Sequence, residues 1–214
     1  MKSYPSIQKS SVAPKGKGCY VFVKYDGSNL RFEFSKKRGW YKFGTRNHLF
    51  DRSDPVFGSA IDLFIGRYGG DLEEIFRKEK LFRGIDNIIV YAEWFGAKTF
   101  AGMHVQDDPK EIVLFDVNPI TKGLLGPKDF LEIFGHLRVA ELLSREIFNN
   151  KLIQEVREGR LNCQSKFAIA NEISEGVVCK AGSGHNIFMT KIKTNKYLEK
   201  LKEHYQHNWS QYWE

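Results

Sequence analysis

The stretch YVFVKYDGSNLRF, residues 20–32, sets a single lysine, Lys24, inside an apolar run and follows it with Asp26 and Gly27. If the run is a strand alternating through Val21, Val23 and Tyr25, Lys24 shares a face with Tyr20 and Phe22, and its amine points into an enclosed space. One reading is an edge-strand lysine whose ammonium reaches water along its own apolar stem. The other is a nucleophile. An amine attacks only when neutral, and a free lysine with a pKa near 10.4 is neutral in about one molecule in two thousand at pH 7. Lys191 and Lys193, two apart in TKIKT, project to one face of a strand, where they would lower that pKa and offset developing anionic charge; a solvated basic strand is the alternative. Glu93 and Glu175 each flank glycine at a strand end, where a carboxylate accepts a hydroxyl, holds a hydrated divalent cation, or is an ordinary surface acid.

Short apolar and aromatic runs supply the strands to carry these groups: CYVFVKY, LRFEF, GWYKFG, NIIVYAEWF, EIVLFDV, EGVVCK and NIFMTKIK. Between Asp54-Pro55 and Lys80 the period lengthens, and Asp71 and Glu74 stand at capping-box spacing, which predicts helices. Residues 127–160, opened by Pro127 and apolar at every third or fourth position, predict a second, mainly helical segment. The tail from Tyr197 reads as a terminal helix whose Trp209 and Trp213 pack back on the body. The order strands, helices, strands, helices, strands predicts an α+β fold with antiparallel sheets flanked by helices. No repeat or Gly/Pro/Ser linker divides the chain, so residues 1–214 read as one domain.

With 214 residues, 42% apolar and 14% aromatic, the chain can bury a sizeable core. It has no apolar stretch of the ~20 residues a membrane helix needs, and MKSYPSIQKSSVAPKGKG has no signal-peptide core, so a soluble cytoplasmic protein without membrane partners is expected. Cys19, Cys163 and Cys179 are too few and too far apart for a disulfide framework or a zinc site, and read as reduced thiols. His48, His104, His136 and His185 lack metal-ligand spacing. A net charge of +7 favours an anionic partner, nucleic acid among them.

KYDGSN fits the Lys-x-Asp-Gly signature of covalent nucleotidyltransferases, and YAEWFG (91–96), LFDV (114–117), EGVVCK (175–180) and TKIKTNKY (190–197) resemble that superfamily's later motifs in their usual order. The chain resembles the adenylyltransferase domain of ATP-dependent RNA ligases, above all the phage-type enzymes that seal nicks in duplex RNA; even MKSYPSI resembles that group's opening. The resemblance implies a nucleotidyltransferase (ATP-grasp-like ligase) fold. It implies Lys24, Glu175, Lys191 and Lys193 as catalytic residues, and a nucleotide site of Lys24, Asp26, Gly27, Asn29, Arg46, Glu93, Phe115, Glu175, Lys191 and Lys193. Asn29 matches the RNA ligase pattern at a position where DNA ligases usually carry arginine. Phe115 would stack on adenine, although an ordinary core phenylalanine fits the same spot. Arg46 would contact phosphate or ribose. Glu93 and Glu175 would hold Mg2+ or Mn2+. Asp116 and Lys180 join the set with a difficulty: Lys180 is five after Glu175, so strand parity places it on the opposite face unless the strand bends.

The implied chemistry is ATP-dependent RNA ligation. Lys24 takes AMP from ATP, passes it to a 5′-phosphate end, and a 3′-hydroxyl displaces AMP to form the phosphodiester. The implied partners are ATP and a nucleic acid with such ends, RNA favoured, acted on by a monomer that is phage-encoded. The alternatives are a minimal DNA ligase, a catalytically inactive nucleic-acid-binding module of the same fold, and a capping guanylyltransferase, disfavoured because no second domain is expected after the last motif. Nothing in 118–172 reads as a nucleic-acid motif.

Overall fold

The computed structural model describes residues 3–97, 109–161 and 174–211. Among the described residues ten strands form two five-stranded sheets. The first has the order β1 (Gln8–Lys9), β10 (Phe188–Lys193), β9 (Ser174–Ala181), β2 (Gly18–Tyr25) and β8 (Leu142–Ile147). The second runs β5 (Leu49–Phe50), β4 (Gly39–Gly44), β3 (Ser28–Ser35), β6 (Asn87–Phe95) and β7 (Glu111–Pro119). All neighbours are antiparallel except β1 and β10. The α+β architecture expected from the strand and helix runs is the one found.

Alternation assigns each face. Leu30, Phe32 and Phe34 of β3, Ile88, Val90 and Ala92 of β6, and Leu114 and Val117 of β7 form the back of the second sheet. Helices α1 (Gly58–Phe64), α2 (Gly70–Lys78) and α3 (Pro127–Phe134) cover it. The cover is aromatic: Phe64 stacks on Phe32 with centroids 3.7 Å apart, and Phe76 packs against Phe34 and Phe82. Each fully buried ring contributes roughly 2–3 kcal/mol. The back of the first sheet (Cys19, Val21, Val177, Cys179, Ile192) lies under α4 (Asn150–Arg157) through Leu152, Ile153 and Val156. Both of these cysteines are free and buried; Cys163 lies outside the described residues.

Two local expectations change. Asp71 and Glu74 do not cap a helix start, because a π-helical turn, Ile65–Gly69, carries α1 straight into α2 and no new terminus forms there. The segment 127–160 is not one helical block. Gly135 ends α3, and Leu142–Ile147 becomes β8 because the otherwise open edge of β2 offers it a hydrogen-bonding partner. The terminal helix α5 (Asn195–Tyr205) is present, N-capped by the Thr194 side chain, with Lys202 over the Trp209 ring; Trp213 lies outside the described residues. Among the described residues no helix is long and apolar enough to cross a membrane.

Candidate active site

The chain leaves the first sheet at Tyr25 and enters the second at Ser28, so Asp26 and Gly27 form the corner between them. The corner is tight. A Cβ on Gly27 would lie 2.6 Å from the Trp94 carbonyl oxygen and 2.9 Å from the Phe95 Cβ, so no larger residue fits without moving β6. The corner leaves Lys24, the penultimate residue of β2, facing a cavity of about 240 Å3 enclosed by the fronts of the two sheets. Its lining mixes apolar side chains, Ile7, Phe22, Phe115, Ala140 and Val178, with polar and charged ones, Lys24, Asn29, Glu93, Glu175 and Lys180.

Register explains who meets whom. Across β2, β9 and β10, Lys24, Gly176 and Lys193 form one row; Phe22, Val178 and Lys191 form the next; Tyr20, Lys180 and Met189 form the third. All four lysines therefore share the front face. Glu175 joins them through a bulge: Lys24 opposes Gly176 and Tyr25 opposes Ser174, so Glu175 has no partner in β2. The bulge resets the alternation, which is how Glu175 and Lys180, five apart, both line the cavity. Gly176 permits it, with φ at +148° and a hypothetical Cβ only 2.0 Å from the Ile192 carbonyl oxygen. A second bulge in β7 lets Tyr91 oppose Asp116 and Ala92 oppose Leu114. Phe115, between them, lines the cavity, and Asp116 reaches the same side of the sheet.

Lys24 Nζ donates to Glu175 Oε2 at 2.7 Å, and Lys193 Nζ is 3.9 Å from the same oxygen. Burial pulls the Lys24 amine down, but Glu175, Glu93 and Asp26 push it up and prevail, holding it above its ordinary value. The expectation that Lys191 and Lys193 depress it fails here because three carboxylates outweigh the two lysines. Lys193 is the lysine pushed down, to about 8, by burial, with Lys24 and Lys191 adding to the effect and Glu175 opposing it. Burial and neighbouring Glu175 raise Asp26 to about 7, and burial raises Glu93 to about 8. Asp26 accepts from the Tyr197 hydroxyl at 3.1 Å, while its other oxygen is buried with no hydrogen-bond donor. Deeper in, Lys180 Nζ donates to Asp116 at 2.7 Å and to the Phe115 carbonyl at 3.0 Å; the Tyr4 hydroxyl also donates to Asp116.

A family model described as RNA ligase matches residues 18–200. The chain belongs to the RNA ligase family. Its fold is that of solved family members: Naegleria gruberi RNA ligase with pyrophosphate aligns at TM-score 0.68 and 18% identity over 94% of this chain and 58% of that one. A mutant of the same ligase with AMP and manganese gives 0.68 and 18% over 93% and 58%, and another with ATP and manganese gives 0.66 and 17% over 92% and 58%. This RNA ligase-family chain thus spans under three fifths of the length of those solved relatives. No curated protein sequence matches it significantly.

In this RNA ligase-family chain, Lys24, Gly27, Asn29, Glu93, Phe115, Glu175 and Lys180 line the cavity; Asp26 and Lys193 stand immediately behind it, and Lys191 one row further along the sheet. Arg46 is not brought in. It is exposed on the turn after β4, where its carbonyl accepts from Ser3 Oγ at 3.2 Å. Two tyrosines escaped the reading of the sequence. Tyr197 sits three residues past the α5 cap, on the turn facing Asp26, and could have been found from that spacing. Tyr4 packs edge-on to Tyr91 and Phe115; it lies in the MKSYPSI opening that carried part of the resemblance, but nothing there gave its side chain a place in the site. Among the described residues, no three His, Cys, Asp or Glu side chains group as a metal cluster.

Proposed function

We propose that this chain is the adenylyltransferase portion of an ATP-dependent RNA ligase, with Lys24 as its covalent nucleophile. The observation that carries the reading is the Lys24 amine, at the sheet-to-sheet corner of an RNA ligase-family fold, facing a cavity lined by both aromatic and charged side chains and held by Glu175 at 2.7 Å. The cavity is below the usual size of a ligand cleft, which suits a nucleoside inside and phosphates at the mouth. Phe115 and Phe22 offer rings to the base, and Asn29 and Glu93 offer polar groups to the ribose.

The Lys24 nitrogen attacks the α-phosphorus of ATP, a nitrogen–phosphorus bond forms, and the bond to the bridging oxygen breaks with pyrophosphate leaving. Glu175 is placed to take the ammonium proton, and Lys193 offsets charge on the phosphoryl oxygens. A 5′-phosphate oxygen then displaces the lysine, and a 3′-hydroxyl oxygen displaces AMP at the activated end. Glu93 and Glu175 would hold Mg2+ or Mn2+, a fit supported by the raised Glu93 carboxyl and the orphaned Asp26 oxygen; when bound, the ion supplies neutralisation of phosphate charge. Arg46, exposed on the turn after β4 and absent from the cavity lining, is given no part in the adenylylation step. The relatives solved with ATP, AMP, pyrophosphate and manganese support this reading.

The test is intact-protein mass after incubation with ATP and Mg2+, followed by sealing assays on nicked RNA, nicked DNA, hybrid and single-stranded substrates. One added AMP, absent in Lys24→Ala, and preferential sealing of RNA are expected; an adduct that persists in Lys24→Ala would overturn the mechanism.

A further inference from the structure

The positive charge of this protein is confined to one end of the sequence. Residues 1–50 hold eleven Lys and Arg against two acids, Asp26 and Glu33, a balance of +9; the other 164 residues balance at −2. Both acids are buried and engaged: Asp26 accepts from Tyr197, and Glu33 accepts from the Tyr41 hydroxyl at 2.5 Å. Neither offsets a surface cation.

Part of this excess sits on the hairpin of β3 and β4. Lys37 and Arg38 are exposed at its tip, and Lys42 opposes Glu33 on the same face of β3 that carries Asn29 into the cavity. Six residues separate Asn29 from Ser35, so the tip stands about 20 Å from the cavity along one sheet face. The Arg38 guanidinium lies 4.4 Å over the Tyr41 ring, which holds its flat fork in place. Among the described residues Lys37, Arg38 and Lys42 have no carboxylate partner. Elsewhere lysines and arginines on helices are matched at i,i+4, as in Arg77–Glu73, Lys78–Glu74, Lys128–Glu132 and Lys151–Glu155.

We infer that the β3–β4 hairpin face docks the sugar–phosphate backbone of the polynucleotide whose end enters the Lys24 cavity. The inference rests on the ligase reading above. A duplex presents phosphates in a regular, closely spaced row, and a cluster of cations without carboxylate partners at the outer end of the sheet face that reaches the cavity is complementary to it. A planar guanidinium stacked on tyrosine suits a phosphate oxygen pair better than a mobile ammonium.

The experiment compares the wild type with Lys37→Gln/Arg38→Gln/Lys42→Gln and with a control, Lys78→Gln/Lys128→Gln/Lys151→Gln. AMP loading is measured first, because it needs no nucleic acid and reports an intact fold. Loading is expected within twofold in all three proteins. Affinity for nicked duplex RNA is expected to fall at least tenfold in the hairpin variant alone, and the log–log salt slope to shrink by about two to three, nearly one per lost phosphate contact. Unchanged affinity and slope would overturn the inference. So would hairpin-dependent binding to phosphatidylserine vesicles with duplex binding unaltered. A wild type that takes no AMP yet loses RNA affinity on hairpin neutralisation would sink the ligase reading and leave the docking face standing.

Discussion

Lys24 and Glu175 meet at 2.7 Å because Glu175 is the one residue of its bulge with no partner across β2. A regular strand would turn the carboxylate to the back of the sheet, among Val177, Cys179 and Ile192. The Lys24 ammonium is therefore held by a backbone irregularity that depends on Gly176. Glu93, Asp26 and Lys193 complete a site in which no charge is matched one to one.

The lysines should show their worth in the AMP-loading rate. Lys193 is buried, 3.9 Å from Glu175, and Lys191 is half-buried one row along the face. Replacing either by alanine is expected to slow adenylylation by more than tenfold, since one contact worth about 1.4 kcal/mol in the transition state already gives that factor. Single-turnover rates check this; normal rates in both would reduce them to solvated strand residues.

Stability should pass through a minimum near pH 8 in the nucleotide-free protein. Glu93 is raised from 4.5 to about 8, so between those values the folded chain holds a proton that the unfolded chain has lost, and stability falls as pH rises. Lys193 is lowered from 10.5 to about 8, so above pH 8 the unfolded chain holds the extra proton, and stability rises again. Asp26, raised to about 7, contributes to the first limb as well, so Glu93→Gln is expected to make that limb shallower, most of all between pH 7 and 8, and to leave the second. Thermal unfolding from pH 5 to 10 measures both; an unchanged acid limb in the variant would refute the assignment to Glu93.

Much of this was legible in the sequence because strand patterning and motif spacing are local. The runs around Lys24, Glu93, Phe115, Glu175 and Lys193 are strands; β6 with β7 and β9 with β10 pair as successive runs, whereas β2 pairs with the distant β9. The two bulges were not legible. Whether Glu175 or Phe115 is the inserted residue is decided by the register with a partner strand outside the local run, Lys24–Tyr25 for Glu175 and Tyr91–Ala92 for Phe115. Strand β8 was read as helix for the same reason: its apolar residues satisfy either period, and the free edge of β2 chose. Arg46 followed a motif match that carried no information on the turn after β4, and the structure leaves it exposed. The raised Lys24 amine was missed because the lysines were weighed without the three carboxylates facing them.

Gly176→Ala should test the bulge directly. The new Cβ would stand 2.0 Å from the Ile192 carbonyl at a φ of +148°, so backbone must move or the bulge must collapse. A loss of at least about 1–3 kcal/mol is expected in urea unfolding, with AMP loading falling further than stability alone explains. Gly159→Ala is the control. It shares a positive φ, +68°, but meets nothing within 4 Å, so its cost should stay near 1 kcal/mol and loading should be normal. Equal behaviour of the two variants would show that Gly176 serves no more than a turn.

The last expectation concerns Lys180 and Asp116, both buried and 2.7 Å apart, with Tyr4 donating to the same carboxylate. Lys180→Met leaves Asp116 with Tyr4 alone in a dry site, and breaking such a pair costs on the order of 3–5 kcal/mol. Burial already raises the Asp116 carboxyl, and losing the lysine raises it further, so the deficit should grow from pH 5 to pH 8, where the unfolded aspartate is already ionised and the folded one holds its proton. Asp116→Leu/Lys180→Met removes both charges among Phe22, Phe115 and Met189 and is expected to recover most of the stability. If the pair serves packing alone, nucleotide binding should recover with it. If Lys180 also faces the nucleotide, as its place in the cavity wall implies, the double variant will be stable and bind ATP at least tenfold more weakly. Calorimetric unfolding with ATP titration separates the terms, and additive stability losses in the two single variants would refute the coupling.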